Sequence, residues 1–351
     1  MLPNPIIERT EIDGFLADVK ARVDGRLRTF FEAKRARAAE LSPPSLELVD
    51  ALEEFTMRGG KRTRPAVLIA GSQAIAADIG TEALLEACAG LELLQSYLLI
   101  HDDWMDQDPE RRGGTTLHEV FADRTGNRHL GANLAVLVGD LGNAFAIELV
   151  AGSPMASSQR EQALRVFWEM QQDVVLGQAL DLIAYRDVAL IQRLKTGSYS
   201  VKGPLLLGAT IAGAPPAALD ALTAYADPVG EAFQARDDLL GTFGAPEKTG
   251  KPAGNDLRAG KRTSLVEEAE KRLSEPELAP LRKVLGRADA SNAEVATAMQ
   301  LLEQSGAKRA VESRVEALCE KADAALRGAA LQPRGQALLS QLARKFAFRE
   351  R

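Results

Sequence analysis

The chain has 351 residues, of which 46% are hydrophobic and 26% are charged. This composition is typical of a globular protein with one large domain or two ordinary ones. Its 43 basic and 49 acidic residues give a formal net charge of −6, which argues against nucleic acid as the main partner. The two cysteines lack metal-type spacing, and no basic segment leads into an apolar run at the start, so we expect a cytoplasmic protein.

Helical periodicity runs through almost the whole chain, and no run of residues alternates between apolar and polar as a half-buried strand does. Alanine and leucine also outnumber β-branched and aromatic residues. Helices are predicted at about residues 10–41, 45–57, 65–78, 81–107, 130–150, 157–185, 188–211, 216–242, 263–273, 276–286, 291–304, 307–327 and 332–347. Ser45 is a predicted helix N-cap.

Two of these predicted helices are unusually apolar. The helix that begins at residue 81 is apolar around most of its circumference, so it needs other helices on all sides. The segment 130–152 is also apolar, but it contains Asp140 and Asn143, so we expect a buried helix and no membrane span. Together these features predict an all-α protein, a single domain over residues 1–351 that forms a multi-helix bundle with a central helix or a central apolar cavity.

Three aspartates lie at the end of the first apolar helix, where the sequence of residues 102–106 is Asp-Asp-Trp-Met-Asp. Asp102 and Asp106 are one helical turn apart, about 40° around the helix and about 6 Å along it, so both carboxylates can reach the same metal ions. Oxygen ligands beside Arg111 and Arg112 favour Mg²⁺ that holds a phosphate-rich substrate. The alternative is an acidic helix end with a solvated arginine pair, although such acids oppose the helix dipole.

A second pair, Asp237 and Asp238, ends another mostly apolar helix and precedes the glycine-rich segment 244–262. An irregular segment of that length is usually functional in a compact protein. Its Lys251 and Lys261 could fold over a bound anion, and an ordinary surface loop is the alternative.

A third element precedes the helix predicted to begin near residue 65. Gly59 and Gly60 free the backbone for close approach, and Lys61, Arg62 and Arg64 bring positive charge to a helix N-terminus, where amide groups favour an anion. This pattern predicts a second phosphate site, and a solvated basic turn is the alternative.

Weaker signals come from Lys195-Thr196 and from Gly177-Gln178 with Asp181. His101 and His118 are candidates for general bases or for packing residues beside a metal cluster. Two carboxylate clusters, two basic sites and an apolar interior suit a reaction between two diphosphates with apolar tails.

In their order, these motifs resemble those of the trans-prenyltransferases of the polyprenyl synthetase (isoprenyl diphosphate synthase) family, especially its short-chain geranylgeranyl and farnesyl diphosphate synthases. The matching residues, which span 59–263, are Gly60-Lys61-x2-Arg64-Pro65, Asp102-Asp103-x2-Asp106-x4-Arg111-Arg112-Gly113, Gly177-Gln178-x2-Asp181, Lys195-Thr196, Phe233-Gln234-x2-Asp237-Asp238, Gly250-Lys251 and Asp256-x4-Lys261-x-Thr263.

The resemblance implies the isoprenoid synthase type I fold, an all-α bundle around a deep central cavity with the two aspartate motifs facing each other. It also implies a homodimer, and the condensation of an allylic diphosphate (dimethylallyl, geranyl or farnesyl) with isopentenyl diphosphate. Three Mg²⁺ ions, or Mn²⁺, would bridge the aspartates to the allylic diphosphate.

The resemblance further implies roles for individual residues. Asp102 and Asp106 would ligate two metal ions and Asp237 the third, with Asp103 and Asp238 supporting them. The allylic diphosphate would be held by Arg111, Lys195 and Lys251, with Lys261 near it. The isopentenyl diphosphate would be held by Lys61, Arg64 and Arg112. Gln95, where members of the family have His or Gln, would also bind substrate, on the same side of the helix as Asp102. The region near the reacting carbons would be lined by Thr196 and Gln234.

Position 241 departs from the family pattern, because Gly241 stands where the second aspartate motif has its third acid. Asp237 is present, so we expect the third metal ion to remain, with weaker binding.

Product length in the family depends on a bulky residue five positions before the first aspartate, which here is Tyr97, followed by the non-aromatic Leu98. This combination resembles geranylgeranyl (C20) synthases more than farnesyl (C15) synthases, and a farnesyl or longer product is the alternative. On an ideal helix Leu98 lies about 40° from Asp102 and Tyr97 about 140°, so a bend or rotation is needed for Tyr97 to close the cavity floor.

Two other classes of protein share some of these features. A non-catalytic regulatory subunit of a prenyltransferase dimer usually lacks metal-binding aspartates, and both pairs are present here. A class I terpene cyclase would have a different second metal site and no isopentenyl diphosphate site.

Overall fold

The computed structural model describes residues 9–77, 81–183, 185–245 and 252–348. The predicted all-α fold is confirmed, since these residues are helical apart from one small hairpin and connecting turns. In chain order, the first α-helices are α1 (Arg9–Leu41), α2 (Pro43–Met57), α3 (Thr63–Ile75), α4 (Thr81–Met105), α5 (Leu117–Thr125), α6 (Arg128–Gly152), α7 (Ser157–Leu182) and α8 (Val188–Gln192). The remaining α-helices are α9 (Gly203–Ile211), α10 (Pro216–Phe243), α11 (Asn255–Arg258), α12 (Ser264–Arg272), α13 (Glu275–Arg282), α14 (Asn292–Gln304), α15 (Ala307–Leu326) and α16 (Pro333–Ala347).

The described residues fall into two compact units. The first unit comprises residues 9–77, 81–167 and 204–214, and the second comprises residues 168–183, 185–203, 215–245 and 252–348. Each unit is described separately below. A single domain over residues 1–351 with a central cavity stays a prediction.

Helix α4 is the centre of the first unit, where it packs against α1, α2, α3, α5 and α6. Its middle turns are buried on every side, as the apolar sequence predicts. Small residues allow the close approach of α6. A Cβ on Gly90 would lie 3.0 Å from the carbonyl oxygen of Ala146.

Both α4 and α6 are long and apolar enough to cross a membrane by length and composition, but they differ in burial. In the most apolar window of α4, 67% of the residues are buried, as in a core helix, compared with 39% in α6. Helix α6 is therefore buried on one side only. Leu130 and Leu137 on its other side are 43% and 55% exposed.

Helix α10 organises the second unit, where it packs against α15, α16, α11 and α12. The hydroxyl of Tyr225 on α10 donates to the carbonyl oxygen of Leu339 on α16 at 2.6 Å. Below the end of α10, Leu239 joins Leu257 and Leu265 in one buried apolar cluster. This packing fixes the end of α10, where the second aspartate pair lies.

Several local predictions were wrong. Helix α5 and the two-residue strands β1 (Glu110–Arg111) and β2 (Gly114–Thr115) were not predicted. The predicted helix 188–211 is divided by a π-helix (Arg193–Lys202), and α11 lies inside the segment that we expected to be irregular. The N-cap of α2 is Ser42, whose hydroxyl accepts from the amide of Ser45.

Candidate active site

The first aspartate motif lies at the C-terminal end of α4. The amide of Asp106 donates to the carbonyl oxygen of Asp102 at 2.8 Å, which keeps these two residues one helical turn apart. Gln107 then takes a left-handed conformation (φ 55°) that ends the helix. Asp102 is partly exposed, Asp106 is exposed and Asp103 is buried, as expected if the first two bind a ligand and the third supports them.

Arg111 is held by the carboxylates of this motif. Its Nε donates to Asp103 Oδ1 at 2.6 Å, and its Nη2 lies 3.5 Å from Asp102 Oδ2 and 3.4 Å from Asp108 Oδ2. Burial raises the pKa of Asp103 to about 6, although the Arg111 guanidinium acts in the opposite direction. The second oxygen of Asp103, Oδ2, is buried and has no hydrogen-bond partner among the described residues.

A tight hairpin separates the two neighbouring arginines. Strands β1 and β2 are antiparallel, with Arg111 opposite Gly114. The two central residues of the turn, Arg112 and Gly113, have φ values of 53° and 74°, as a type I′ turn requires. Consequently Arg111 points to the aspartates, whereas Nη1 of Arg112 lies 3.5 Å from the carbonyl oxygen of Gly59.

The Gly59-Gly60 turn lies beside Arg112, so two of the elements that were predicted to bind phosphate are neighbours. Both glycines have a φ of 106°, a conformation that disfavours a side chain. A Cβ on Gly60 would lie 3.4 Å from Arg112 Nη1. Arg112 is near one acid and several cations, since Glu92 attracts its charge whereas Arg62 and Arg64 repel it. The excess of positive charge favours a bound anion.

Arg62, the third cation of this element, is buried and forms an internal ion network. Its Nε donates to Asp24 Oδ1 at 2.8 Å, its Nη1 donates to Glu92 Oε2 at 2.5 Å, and its Nη2 donates to the carbonyl oxygen of Thr56 at 3.1 Å. Its φ of 51° places it in the left-handed region. Arg62 therefore ties the turn to α1, α2 and α4 through internal contacts, and contact of Lys61 and Arg64 with a substrate stays a prediction.

Gln95, Tyr97 and Leu98 are all partly buried on α4. The ring of Tyr97 packs edge-on against His101, with ring centres 4.7 Å apart. His101 Nε2 lies 3.0 Å from the carbonyl oxygen of Val136 on α6, which favours the packing role for this histidine. Burial lowers the pKa of His118, which likewise favours a neutral packing residue.

In the second unit, Lys195 and Thr196 lie on the π-helix. A Cβ on Gly177 would lie 2.5 Å from the backbone nitrogen of Lys195, so glycine allows α7 to approach the π-helix closely. Lys195 Nζ then donates to Asp181 Oδ2 at 2.7 Å. The structure thus brings together the two motifs with the weakest sequence signals, Lys195-Thr196 and Gly177-Gln178 with Asp181. Lys195 lies on a π-helical turn, and such turns are common at functional sites.

The two residues of the second aspartate pair differ in burial. Asp238 is buried and accepts from Gln234 Nε2 at 3.0 Å and from both the amide and the hydroxyl of Ser264 at 2.8 Å. Burial raises the pKa of Asp238 to about 6. Asp237, one residue earlier, is partly exposed. This division supports Asp237 as the ligand and Asp238 as its support.

After α10, the chain folds back and contacts the end of that helix again at Gly254. The amide of Gly254 donates to the carbonyl oxygen of Thr242 at 3.0 Å. Lys261 is exposed, and its Nζ lies 3.3 Å from Asp256 Oδ1. Lys251 lies outside the described residues, so its role stays a prediction.

No group of three or more His, Cys, Asp or Glu residues forms a ready-made metal site within the part of the chain that the structure describes. Asp102 and Asp106 belong to the first unit and Asp237 to the second.

Sequence reasoning missed several residues that support the site. Asp24 and Glu92 are distant in sequence from Arg62, and Ser264 is distant from Asp238, so no local pattern signals these pairs. Asp108 follows the first motif and could have been noticed as a further partner for Arg111.

The chain is similar to known proteins in both sequence and fold. The sequence model of the Polyprenyl synthetase family matches residues 46–302. The chain is 31% identical over 309 residues to the short chain isoprenyl diphosphate synthase of Methanocaldococcus jannaschii, with 86% of each chain covered. It is 34% identical over 265 residues to the (2E,6E)-farnesyl diphosphate synthase of Mycobacterium tuberculosis, with 71% of this chain and 68% of the relative covered.

A similar fold is found in the crystal structure of geranylgeranyl pyrophosphate synthase from Corynebacterium glutamicum complexed with isoprenyl diphosphate and magnesium. The TM-score is 0.86 at 33% identity, and the match covers 96% of this chain and 99% of that one. The chain therefore belongs to the polyprenyl synthetase family of trans-prenyltransferases.

Proposed function

We propose that this enzyme condenses an allylic diphosphate with isopentenyl diphosphate in a Mg²⁺-dependent reaction, and that its main product is geranylgeranyl diphosphate (C20). The observation that carries this proposal is the division of Arg111 and Arg112 between two places. Arg111 pairs with the first aspartate motif, and Arg112 lies at the Gly59-Gly60 turn near Arg64. Two separate cationic places suit two diphosphate substrates.

The residues of the first motif fit Mg²⁺. Asp103 Oδ2 is a buried carboxylate oxygen without a hydrogen-bond partner among the described residues, and carboxylates are the ligands that this hard cation prefers. Asp102 and Asp106 in the first unit, and Asp237 in the second, are the proposed ligands of three ions. When bound, Mg²⁺ neutralises negative charge on the departing diphosphate. The solved C. glutamicum relative was crystallised with magnesium and isoprenyl diphosphate, which supports this choice.

The cationic side chains are held in place before substrate binds. Arg111 is fixed by Asp103 and Lys195 by Asp181, so less conformational freedom is lost when these residues bind a diphosphate. We propose that both contact the allylic diphosphate, together with Lys251 and Lys261. Lys61, Arg64 and Arg112 would then hold isopentenyl diphosphate.

In the reaction, the allylic C–O bond breaks and the diphosphate leaves with the bonding electron pair. The double bond of isopentenyl diphosphate attacks the allylic carbon, and the condensed product then loses a proton to the departing diphosphate. The protein needs no general base for this sequence, which agrees with the packing roles of His101 and His118. The fixed cations stabilise the leaving group as its charge develops.

The C20 product is proposed from Tyr97, which is partly buried five residues before Asp102. Its ring contact with His101 fixes its direction toward the α6 side of α4. A farnesyl product is the alternative, since one relative is a farnesyl diphosphate synthase.

We also propose that the enzyme is a homodimer that uses the open side of α6. Leu130, Leu134, Leu137, Leu141 and Ala144 are spaced alternately by four and three residues, as in the seam between two packed helices. Leu137 is 55% exposed in the single chain. A Leu137→Glu change should convert the dimer to a monomer in light-scattering measurements, and an unchanged molar mass would contradict this interface.

The function is tested by incubating the purified enzyme with Mg²⁺, isopentenyl diphosphate and each of the three allylic primers, then sizing the alcohols after dephosphorylation. We expect mainly C20 product. Mainly C15 product would favour the farnesyl alternative, and no product from a folded protein would favour a regulatory subunit.

A further inference from the structure

Arg58 is the C-cap residue of α2 and directly precedes the Gly59-Gly60 turn. Unlike Lys61 and Arg64, it is not one of the proposed diphosphate ligands. Its side chain is only 14% exposed, and its guanidinium carbon lies 5.6 Å from the ring centre of Phe55. Since a mostly buried cation is costly unless it is paired, the partners of Arg58 show what it does.

Glu54, one turn earlier on α2, fixes the orientation of the Arg58 side chain. Arg58 Nε donates to Glu54 Oε1 at 2.7 Å, and its Nη2 donates to Glu54 Oε2 at 2.6 Å. Two parallel hydrogen bonds of this kind hold the planar guanidinium in one direction. The charge of Arg58 is therefore already paired with a carboxylate, and its third nitrogen is aimed away from Glu54.

This third nitrogen, Nη1, contacts the β1–β2 hairpin. It donates to the carbonyl oxygen of Thr115 on β2 at 2.8 Å and to the carbonyl oxygen of Arg111 on β1 at 3.5 Å. One guanidinium, held from the end of α2, therefore contacts both strands of the hairpin that carries Arg111 and Arg112.

Gly114 provides the space for this contact. A Cβ at position 114 would lie 2.7 Å from both Cζ and Nη1 of Arg58, well inside the distance of about 3.5–4.0 Å at which unbonded carbon atoms pack. The turn itself requires the positive φ of Gly113, whereas Gly114 lies on β2 opposite Arg111. The guanidinium of Arg58 therefore explains the second glycine of this hairpin.

The two arginines of the hairpin depend on this contact to different degrees. Arg111 is also held by Asp103, to which its Nε donates at 2.6 Å. Arg112 donates to the carbonyl oxygen of Gly59 at 3.5 Å, which is long for a hydrogen bond. The position of Arg112 therefore depends mainly on the position of the hairpin.

We propose that Arg58 is a positioning residue for isopentenyl diphosphate, because it holds the hairpin so that Arg112 stays at the Gly59-Gly60 turn. The inference rests on the proposed function and extends it, since Arg112 is the residue that would contact this substrate. The two segments hold each other in both directions. Arg58 contacts the hairpin, and Arg112 of the hairpin contacts the residue that follows Arg58.

The test is the steady-state kinetics of Arg58→Met, which keeps a long side chain and removes the hydrogen bonds of the guanidinium. The KM for isopentenyl diphosphate should rise at least about tenfold, with kcat within about threefold of the wild type. The KM for the allylic primer should change less than about threefold, because Arg111 keeps its bond to Asp103.

Arg165→Met is the matched control. Arg165 is exposed and pairs with the glutamate four residues earlier, as Arg58 does, with Nη2 2.8 Å from Glu161 Oε1. It lies on α7, so its replacement should leave both KM values unchanged. Thermal unfolding confirms that each variant is folded.

Two double variants separate positioning from a general loss of structure. Arg58→Met/Arg112→Ala should have the same KM for isopentenyl diphosphate as Arg112→Ala alone, since Arg58 acts through Arg112. Gly114→Ala should raise this KM, because the methyl group collides with the guanidinium. In an Arg58→Ala background the same change should have less than about a twofold effect. Should Arg58→Met not fold, the Gly114→Ala series gives the same readout.

An unchanged KM for isopentenyl diphosphate in folded Arg58→Met would overturn the inference and leave the proposed function intact. Equal increases in both KM values, or additive effects of Arg58→Met and Arg112→Ala, would also overturn it alone. A folded wild type that makes no prenyl product would overturn the proposed function together with the inference.

Discussion

Replacing Arg62 tests whether the basic turn is held by its buried ion network. In an Arg62→Met variant, Asp24 keeps Lys20 as a partner, but Glu92 loses the guanidinium that pairs with it. The Glu92 side chain is only 2% exposed, and its Oε1 already lacks a hydrogen-bond partner among the described residues. The cost should therefore fall mainly on Glu92.

Removing one partner of a buried ion pair usually costs about 3–5 kcal/mol, because the other charge stays buried without compensation. We expect Arg62→Met to lower the free energy of unfolding by this amount in urea titrations followed by circular dichroism at pH 7. Arg62→Met/Glu92→Gln should recover at least about 2 kcal/mol, since the remaining group is neutral. Arg28→Met, at an exposed position of α1, is the control and should change stability by less than about 0.5 kcal/mol.

The reasoning would be refuted if Arg62→Met lost less than about 1 kcal/mol and showed no coupling to Glu92→Gln. In that case the short distances around Arg62 would not reflect a stabilising network, and the position of Lys61 would need another explanation.

Three further changes test other parts of the site. The pKa of Asp103 is about 6 in the folded state against 3.8 unfolded. The folded protein therefore binds this proton more tightly and loses stability as the pH rises from about 4 through 6. Asp103→Asn should remove up to about 3 kcal/mol of that loss in urea titrations between these pH values, and an unchanged dependence of stability on pH would contradict the shift. Tyr97→Ala should lengthen the products sized after dephosphorylation, and an identical product profile would show that another residue sets the floor. Lys61→Ala should raise the KM for isopentenyl diphosphate at least tenfold while changing that for the allylic primer less than threefold, and equal effects on both would refute the division into two diphosphate sites.

Features set by local sequence were predicted well. The helical periodicity gives α4, α6, α10 and α15 close to their observed bounds, because each presents a long apolar surface with few β-branched residues. The one-turn spacing of Asp102 and Asp106 follows directly from helix geometry. The sequence also predicted that the helix ends before Arg111, although it ends at Met105 with Gln107 in the left-handed conformation, and not at Pro109.

Features set by distant residues could not be predicted from local patterns. In the sequence, Arg62 cannot be distinguished from its neighbouring cations Lys61 and Arg64. Only the folded structure shows that Asp24 and Glu92 lie beside it. Likewise, the sequence shows only that Gly241 stands where the family pattern has an acid. The folded structure shows that the chain returns after α10 and places the carboxylate of Asp256 against Gly241.

Some conformations also lacked their usual sequence signals. The turn of the hairpin has Arg112 at a position that usually holds Asn, Asp or Gly, so the local sequence indicates strands β1 and β2 only weakly. The π-helix at residues 193–202 packs closely against Gly177, and this tertiary contact has no signal in the local sequence. Helical periodicity alone therefore predicted one continuous helix there.

The claim that the aspartate motifs bind the metal-held allylic diphosphate is tested most directly by the Asp102→Ala variant. The measurement is the initial rate of condensation of an allylic primer with isopentenyl diphosphate at saturating Mg²⁺, with Asp123→Ala, an exposed acid of the same unit, as the control. The account predicts at least about a hundredfold loss of turnover for Asp102→Ala, equivalent to about 2.7 kcal/mol of transition-state stabilisation, and an unchanged rate for Asp123→Ala. A rate for folded Asp102→Ala within threefold of the wild-type rate would contradict it.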